Sequence, residues 1–197
     1  MKKYLLFFCS LTGFLFSSAQ NSWGLVSSLG FDHIKGGGMS NRFTAGYNAG
    51  AYAQIQIVKR LSLQPQFLFS QKNISVSTDF KDIYPESASS NFKTAVSLDY
   101  ISIPLLFNYR INNLWSLNLG SQYSYLLDSD EKLLNENKSA FKDQDVSVIG
   151  GLELKIASLK LYGQYNYGLY NLNAINSDVR QWYSRGFELG IGWRIAR

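Results

Sequence analysis

Residues 99–109 read DYISIPLLFNY. Taken alternately, Ile101, Ile103, Leu105, Phe107 and Tyr109 share one face, and Ser102, Pro104, Leu106 and Asn108 share the other, which is the period of a β-strand. A proline stands in the middle. Proline offers no donor to a ladder and belongs at sheet edges or bulges, so the kind of sheet that accepts this strand decides the fold.

The same segregation recurs on either side of it. In 43–58, FTAGYNAGAYAQIQIV, one face carries Phe43, Ala45, Tyr47, Ala49, Ala51, Ala53, Ile55 and Ile57, and the other is almost wholly polar or glycine. Stretches 61–70 and 187–196 repeat the pattern, as do 23–32, 98–111, 114–127, 146–156 and 159–171. These predict eight strands, each long enough to cross a bilayer when tilted, which takes roughly 9 to 11 residues; a globular strand averages about 5 or 6. No run after residue 20 approaches the ~18 apolar residues of a membrane helix.

The connections alternate between long (33–42, 71–95, 128–144, 172–182) and short (Lys59-Arg60, Asn112-Asn113, Ala157-Ser158). That is the rhythm of an up-and-down barrel with long exterior loops and tight periplasmic turns. Asn112-Asn113 suits a two-residue hairpin turn because asparagine tolerates positive φ. Aromatic residues fall in two bands. Trp23, Tyr109, Trp115 and Trp193 lie beside the short turns or chain ends, and Tyr47, Tyr123, Tyr125 and Tyr167 toward the long loops. Bilayer interfaces select such girdles.

Alternation alone leaves open which face points inward. The polar face is rich in Gly, Ser, Asn and Gln, with few charges of both signs: Glu153, Lys155, Lys160, Glu188 and Arg194. Small residues with compensating charges suit a narrow lumen. A water-exposed surface would carry more than the 17% charged residues present.

The chain begins MKKYLLFFCSLTGFLFSSAQ, a basic, then apolar, then small-residue order expected of a secretory signal peptide cleaved near Ala19 or Gln20. The domain is expected over 21–197. Cys9 lies inside the apolar run with Phe7-Phe8 before it, unlike a lipidation site, and it is the only cysteine. Losing Lys2 and Lys3 takes the formal charge from +5 to +3, too mild for a nucleic-acid partner.

Tyr100, Ile101, Ile103, Pro104, Leu105 and Leu106, followed by Asn108-Tyr109, resemble the Y-L-x-I-P-L-L segment of small outer-membrane β-barrel proteins of Bacteroidetes, the PorT-like family. The first strand SWGLVSSLGF and the last, GFELGIGWRI, resemble that family's ends. The resemblance implies the outer membrane, insertion by the barrel-assembly machinery and, from the family name, an accessory role in protein secretion. The chain departs from the common terminal aromatic, ending Ile195-Ala196-Arg197 after Trp193. The family's porin label implies a channel, yet an eight-stranded lumen is filled by its own side chains.

Chemistry is sparse. The one histidine, His33, has lipid-facing parity, whereas Asp32 and Ser28 have the opposite parity, so a nucleophile and base do not converge. DSDEKLLNEN (128–137) offers Asp128, Asp130 and Glu131 to a calcium ion but lacks the spaced glycine of a calcium loop. KGGGMSN (35–41) has glycine but no Lys-Ser/Thr pair for a phosphate cradle. Loop 71–95, with Phe80, Tyr84 and Phe92, and loop 128–144 are the expected places for a protein partner. Lys35 and Arg42 are placed to meet lipopolysaccharide phosphates.

The expectation is thus an all-β, eight-stranded antiparallel up-and-down transmembrane β-barrel, non-enzymatic and without cofactor or metal. The alternatives are a secretion accessory, a lipid-modifying enzyme and a soluble lipocalin-like binder. A closed barrel has no edge for Pro104, so a bulge or a missing ladder bond is expected there. Pro65 should mark the same zone.

Overall fold

A computed structural model describes residues 21–85, 94–129, 140–175 and 180–196. The expected leader at 1–20, residues 86–93 of the longest connection and Asp130 and Glu131 lie outside these. Eight strands follow one another around a closed antiparallel barrel. They are β1 (Ser22–Lys35), β2 (Thr44–Val58), β3 (Leu61–Ser75), β4 (Ala95–Arg110), β5 (Trp115–Ser129), β6 (Gln144–Ile156), β7 (Leu159–Gly168) and β8 (Tyr183–Ala196), with one short helix, α1 (Phe80–Ile83), between β3 and β4. Pairing of β1 with β8 from Trp23↔Ala196 to Lys35↔Tyr183 closes the wall.

The apolar face points outward. Leu29, Phe67, Leu119 and Leu189 are exposed, Leu119 at 64%, while Gln64, Ser102, Asn108 and Ser124 are buried in the lumen. A soluble barrel needs the reverse order, so the lipocalin-like alternative fails on geometry: this exterior is solvated by lipid.

The strands run further than the sequence pattern indicates on the long-loop side. β3 continues to Ser75 and β4 starts at Ala95, so 71–75 is strand where a loop is expected, and β8 starts at Tyr183; β7 alone among these stops early, at Gly168 instead of the expected 171. Beyond the exterior tyrosines the polarity inverts while the period stays two. Ile74, Val96, Leu98 and Tyr100 are buried inside, on the same parity that carries Gln64, Ser102 and Asn108 lower down. Outside the bilayer the outer face of a strand meets water, so the ordinary inside-apolar rule returns.

Two short connections are two-residue turns, and the third spans 111–114. There Asn112 Oδ1 accepts from the amides of Leu114 at 2.9 Å and Trp115 at 2.8 Å. Side-chain capping replaces the positive φ expected of the asparagines; among the described residues the only non-glycine with positive φ is Ala157, at 55°.

At the prolines the wall is interrupted without being bulged. The β2–β3 pairing passes from Tyr52↔Gln66 to Ile55↔Leu63, skipping the pairs at Pro65 and Gln64, and the register is unchanged. The β3–β4 pairing passes from Pro65↔Leu105 to Leu68↔Ser102, skipping those at Pro104 and Ile103. On its other side Pro104 pairs normally with Gln122. Each proline removes a donor on one side only, and the two gaps abut on β3. The β4–β5 register shift sits instead between Asp99 and Tyr100, at the exterior end.

Candidate functional site

Within the wall, the lumen is a stack of buried polar layers. Nearest the short turns, Glu153, 1% exposed, lies 3.2 Å from Lys155 Nζ and 3.4 Å from Lys160 Nζ. Asn108 donates to Asn118 at 2.6 Å and to Glu153 at 3.4 Å, and accepts from Lys155 at 3.3 Å. Lys160 also donates to Gln64 at 3.0 Å and stands 3.5 Å over the Tyr52 ring. Register explains the convergence: Glu153 faces Ser116 and Tyr162, and Lys155 faces Lys160, so the acid on β6 neutralises two cations that pair side by side.

Higher up, Glu188 is buried among neutral donors. Ser28 Oγ donates to it at 2.6 Å, Tyr162 Oη at 3.2 Å, Gln164 at 2.9 Å and Asn166 at 3.4 Å. Val26, Tyr52, Leu68 and Tyr162 form an apolar layer between the two acids. Arg194, grouped by sequence with the lumen charges, sits at the short-turn mouth and donates to Ala157 O at 3.1 Å.

A third layer escaped the sequence pattern. Lys72 Nζ lies 3.1 Å from Asp145 and 5.3 Å from the Tyr100 ring centroid, with Asp32 also buried. Lys72 falls in the expected loop 71–95, and Asp145 falls between the expected loop 128–144 and the expected strand 146–156. β8 makes room for all three layers: a methyl at Gly186 would strike Asp32, one at Gly190 would strike Tyr162, and one at Gly192 would strike Lys160.

Above the charges the barrel is roofed. Ile34, Ile74, Val96, Leu98, Tyr100 and Leu126 rise from the strands, and each long connection contributes: Met39, then Val76, Phe80 and Tyr84, then Ala140 and Phe141, then Leu172 and Trp182. Trp182 is 0% exposed and central. Its ring lies 5.4 Å from Phe141, 5.9 Å from Tyr84 and 6.4 Å from Phe80, and its Nε1 donates to Gly37 O at 3.1 Å. Asn173 donates to Tyr84 Oη at 3.1 Å and Arg180 O at 2.9 Å, and the Arg180 guanidinium donates to Ile83 O at 2.6 Å. Phe80 and Tyr84, read from sequence as displayed aromatics of loop 71–95, are therefore turned inward.

The remaining sequence candidates fall as follows. Trp23, Tyr109, Trp115 and Trp193 are exposed on the outer face at the short-turn end, and Tyr47, Tyr123, Tyr125 and Tyr167 are exposed toward the other. In the Y-I-x-I-P-L-L segment, Tyr100 and Leu106 are buried inside, Pro104 faces the lumen, and Ile103 and Leu105 face outward. His33 stacks edge-on against Phe43 at 4.3 Å, whereas Ser28 is held by Glu188 and Asn48 inside. Asp128 is part of β5, opposite Asp99, and the described residues contain no group of three or more His, Cys, Asp or Glu side chains suited to a metal ion.

A family model described as "Outer membrane protein beta-barrel domain" matches residues 12–173. Among solved structures, Neisserial surface protein A (NspA) is similar with a TM-score of 0.57 at 13% identity, over 89% of this chain and 99% of that one. Ail, the attachment invasion locus protein of Yersinia pestis, is similar with a TM-score of 0.53 at 15% identity, again over 89% and 99%. At such identities the likeness is one of fold. No curated protein matches the sequence.

Proposed function

The chain belongs to the outer membrane protein beta-barrel domain family, and from that premise we propose a sealed, non-enzymatic scaffold that holds its exterior loops as a fixed platform for contact with other molecules. The observation that carries this reading is the cap: four connections share one aromatic core around Trp182 directly above a charge-paired lumen. Binding surfaces gather on loops fixed by a rigid base, and a rigid base is what the cap supplies. The partners are the lipid of the outer membrane, lipopolysaccharide at the outer rim near Lys35 and Arg42, and a protein contacting the connections 76–94 and 130–143. The barrel-assembly machinery inserts it. Membership of the PorT-like branch in Bacteroidetes rests on the segment at 100–106.

A lipid-modifying enzyme is the less favoured reading, because Ser28 is committed to Glu188 and His33 stands on the opposite face of β1. Planar-bilayer recording of the folded protein tests the seal. No discrete conductance steps are expected, and steady ohmic steps at neutral pH would overturn the sealed scaffold. Unaltered lipid A and phospholipid profiles in a deletion strain are expected in parallel.

A further inference from the structure

At the periplasmic end the lumen opens into a blind vestibule of about 560 Å³. Tyr52 and Lys160 form its floor, and the apolar layer of Val26, Tyr52, Leu68 and Tyr162 closes the way above. Six cations line it: Lys59 and Arg60 from the β2–β3 turn, Arg110 from the end of β4, Lys155 from β6, Lys160 from β7 and Arg194 from β8. Among the described residues the one carboxylate on this half of the barrel is Glu153, and Lys155 and Lys160 already hold it. Asp32, Asp99, Asp128, Asp143, Asp145 and Glu188 all lie on the exterior half.

Counting Glu153 against the six cations leaves an excess of five positive charges around one small concavity. Lys59, Arg60, Arg110 and Arg194 form no ion pair among the described residues. Like charges gathered in a cleft with low-dielectric walls repel one another and focus a positive field into it. Three of these groups are guanidiniums, whose planar forks match the oxygens of a phosphate.

We propose that this vestibule binds a phosphate-bearing anion. Two sources present that chemistry at this depth: a soluble phosphorylated solute of the periplasm, and the headgroup of an anionic phospholipid in the inner leaflet. The floor admits neither to the lumen beyond, so the site is one of capture and not of passage.

The full folded chain in phosphatidylcholine nanodiscs, titrated calorimetrically with inorganic pyrophosphate, provides the first arm. In the second, phosphatidylglycerol replaces part of the phosphatidylcholine, and lipid retained through detergent exchange is measured. Each is run on wild type, on Arg60→Gln/Arg110→Gln/Arg194→Gln, and on Lys81→Gln/Lys142→Gln/Arg185→Gln, which makes the same charge change at the other end. Heat-modifiable gel migration confirms that each variant is folded; if the triple variant is not, Arg60→Gln on the exposed turn replaces it. Pyrophosphate binding that weakens with salt and falls about tenfold or more only in the mouth variant is expected for a soluble ligand. Selective loss of retained phosphatidylglycerol in that variant is expected for a lipid. No binding in either arm, or equal loss in both variants, would overturn the site.

Discussion

Glu153→Leu is expected to destabilise the folded barrel by about 3–5 kcal/mol, the usual cost of stripping the partner from a buried charge. Lys160 is the reason. Its side chain is 5% exposed, and among the described residues Glu153 is the one carboxylate within 4 Å of its ammonium. Lys155 is less confined, with 24% of its side chain exposed, and its stem lets the ammonium reach the mouth. Lys155→Met should therefore cost much less than Glu153→Leu. Removing both members, in Glu153→Leu/Lys160→Met, should recover most of the loss, because an apolar pair of similar volume replaces a buried ion pair at little cost. Equilibrium unfolding in lipid vesicles measures all three. A Glu153→Leu loss below about 1 kcal/mol, the range of exposed pairs, would show that the pair is solvated and the lumen not sealed around it.

Trp182→Ala is expected to cost about 3–5 kcal/mol, the range for deleting a buried aromatic side chain, and to spend it on the cap. Trp182 touches contributions from three connections, Gly37, Phe80 with Tyr84, and Phe141, so its loss uncouples them together. The transmembrane ladder beneath shares none of these contacts. Limited proteolysis of intact vesicles should then cut the exterior connections two to three orders of magnitude faster, at about tenfold per 1.4 kcal/mol. Heat-modifiable migration of the barrel should persist. Unchanged proteolysis would mean that the cap is held without its centre.

The barrel was legible because a period of two survives everything else in the sequence. Sixteen consecutive residues at 43–58 keep their faces apart, and so does the stretch around Pro104. The cap was not legible for a related reason. At 70–74 and again at 98–101 the period continues but the apolar parity changes sides, since water replaces lipid outside. A fixed-parity reading ends the strand there and calls the rest a loop. That error hid Lys72, and the assignment of 128–144 to a loop left its partner Asp145 out, because an ion pair between residues 73 positions apart exists only once the register is known. The inward turn of Phe80 and Tyr84 was lost with it. Of the two outcomes expected at the prolines, a bulge or a missing ladder bond, the second is found: one zone of missing pairing shared by Pro65 and Pro104, with the register kept. A gap suffices because each proline lacks a donor toward one neighbour alone.

The four tryptophans divide the molecule into its solvents. Trp23, Trp115 and Trp193 are on the outer face, Trp193 at 63% exposure, and Trp182 is enclosed in the cap. Single-tryptophan variants, with phenylalanine at the other three positions, can be folded into vesicles and quenched by brominated acyl chains and by aqueous acrylamide. Lipid bromine should quench Trp23, Trp115 and Trp193, and neither quencher should reach Trp182. Trp193 insensitive to lipid bromine, or Trp182 as open to acrylamide as a free indole, would contradict a lipid-facing barrel sealed at its exterior end.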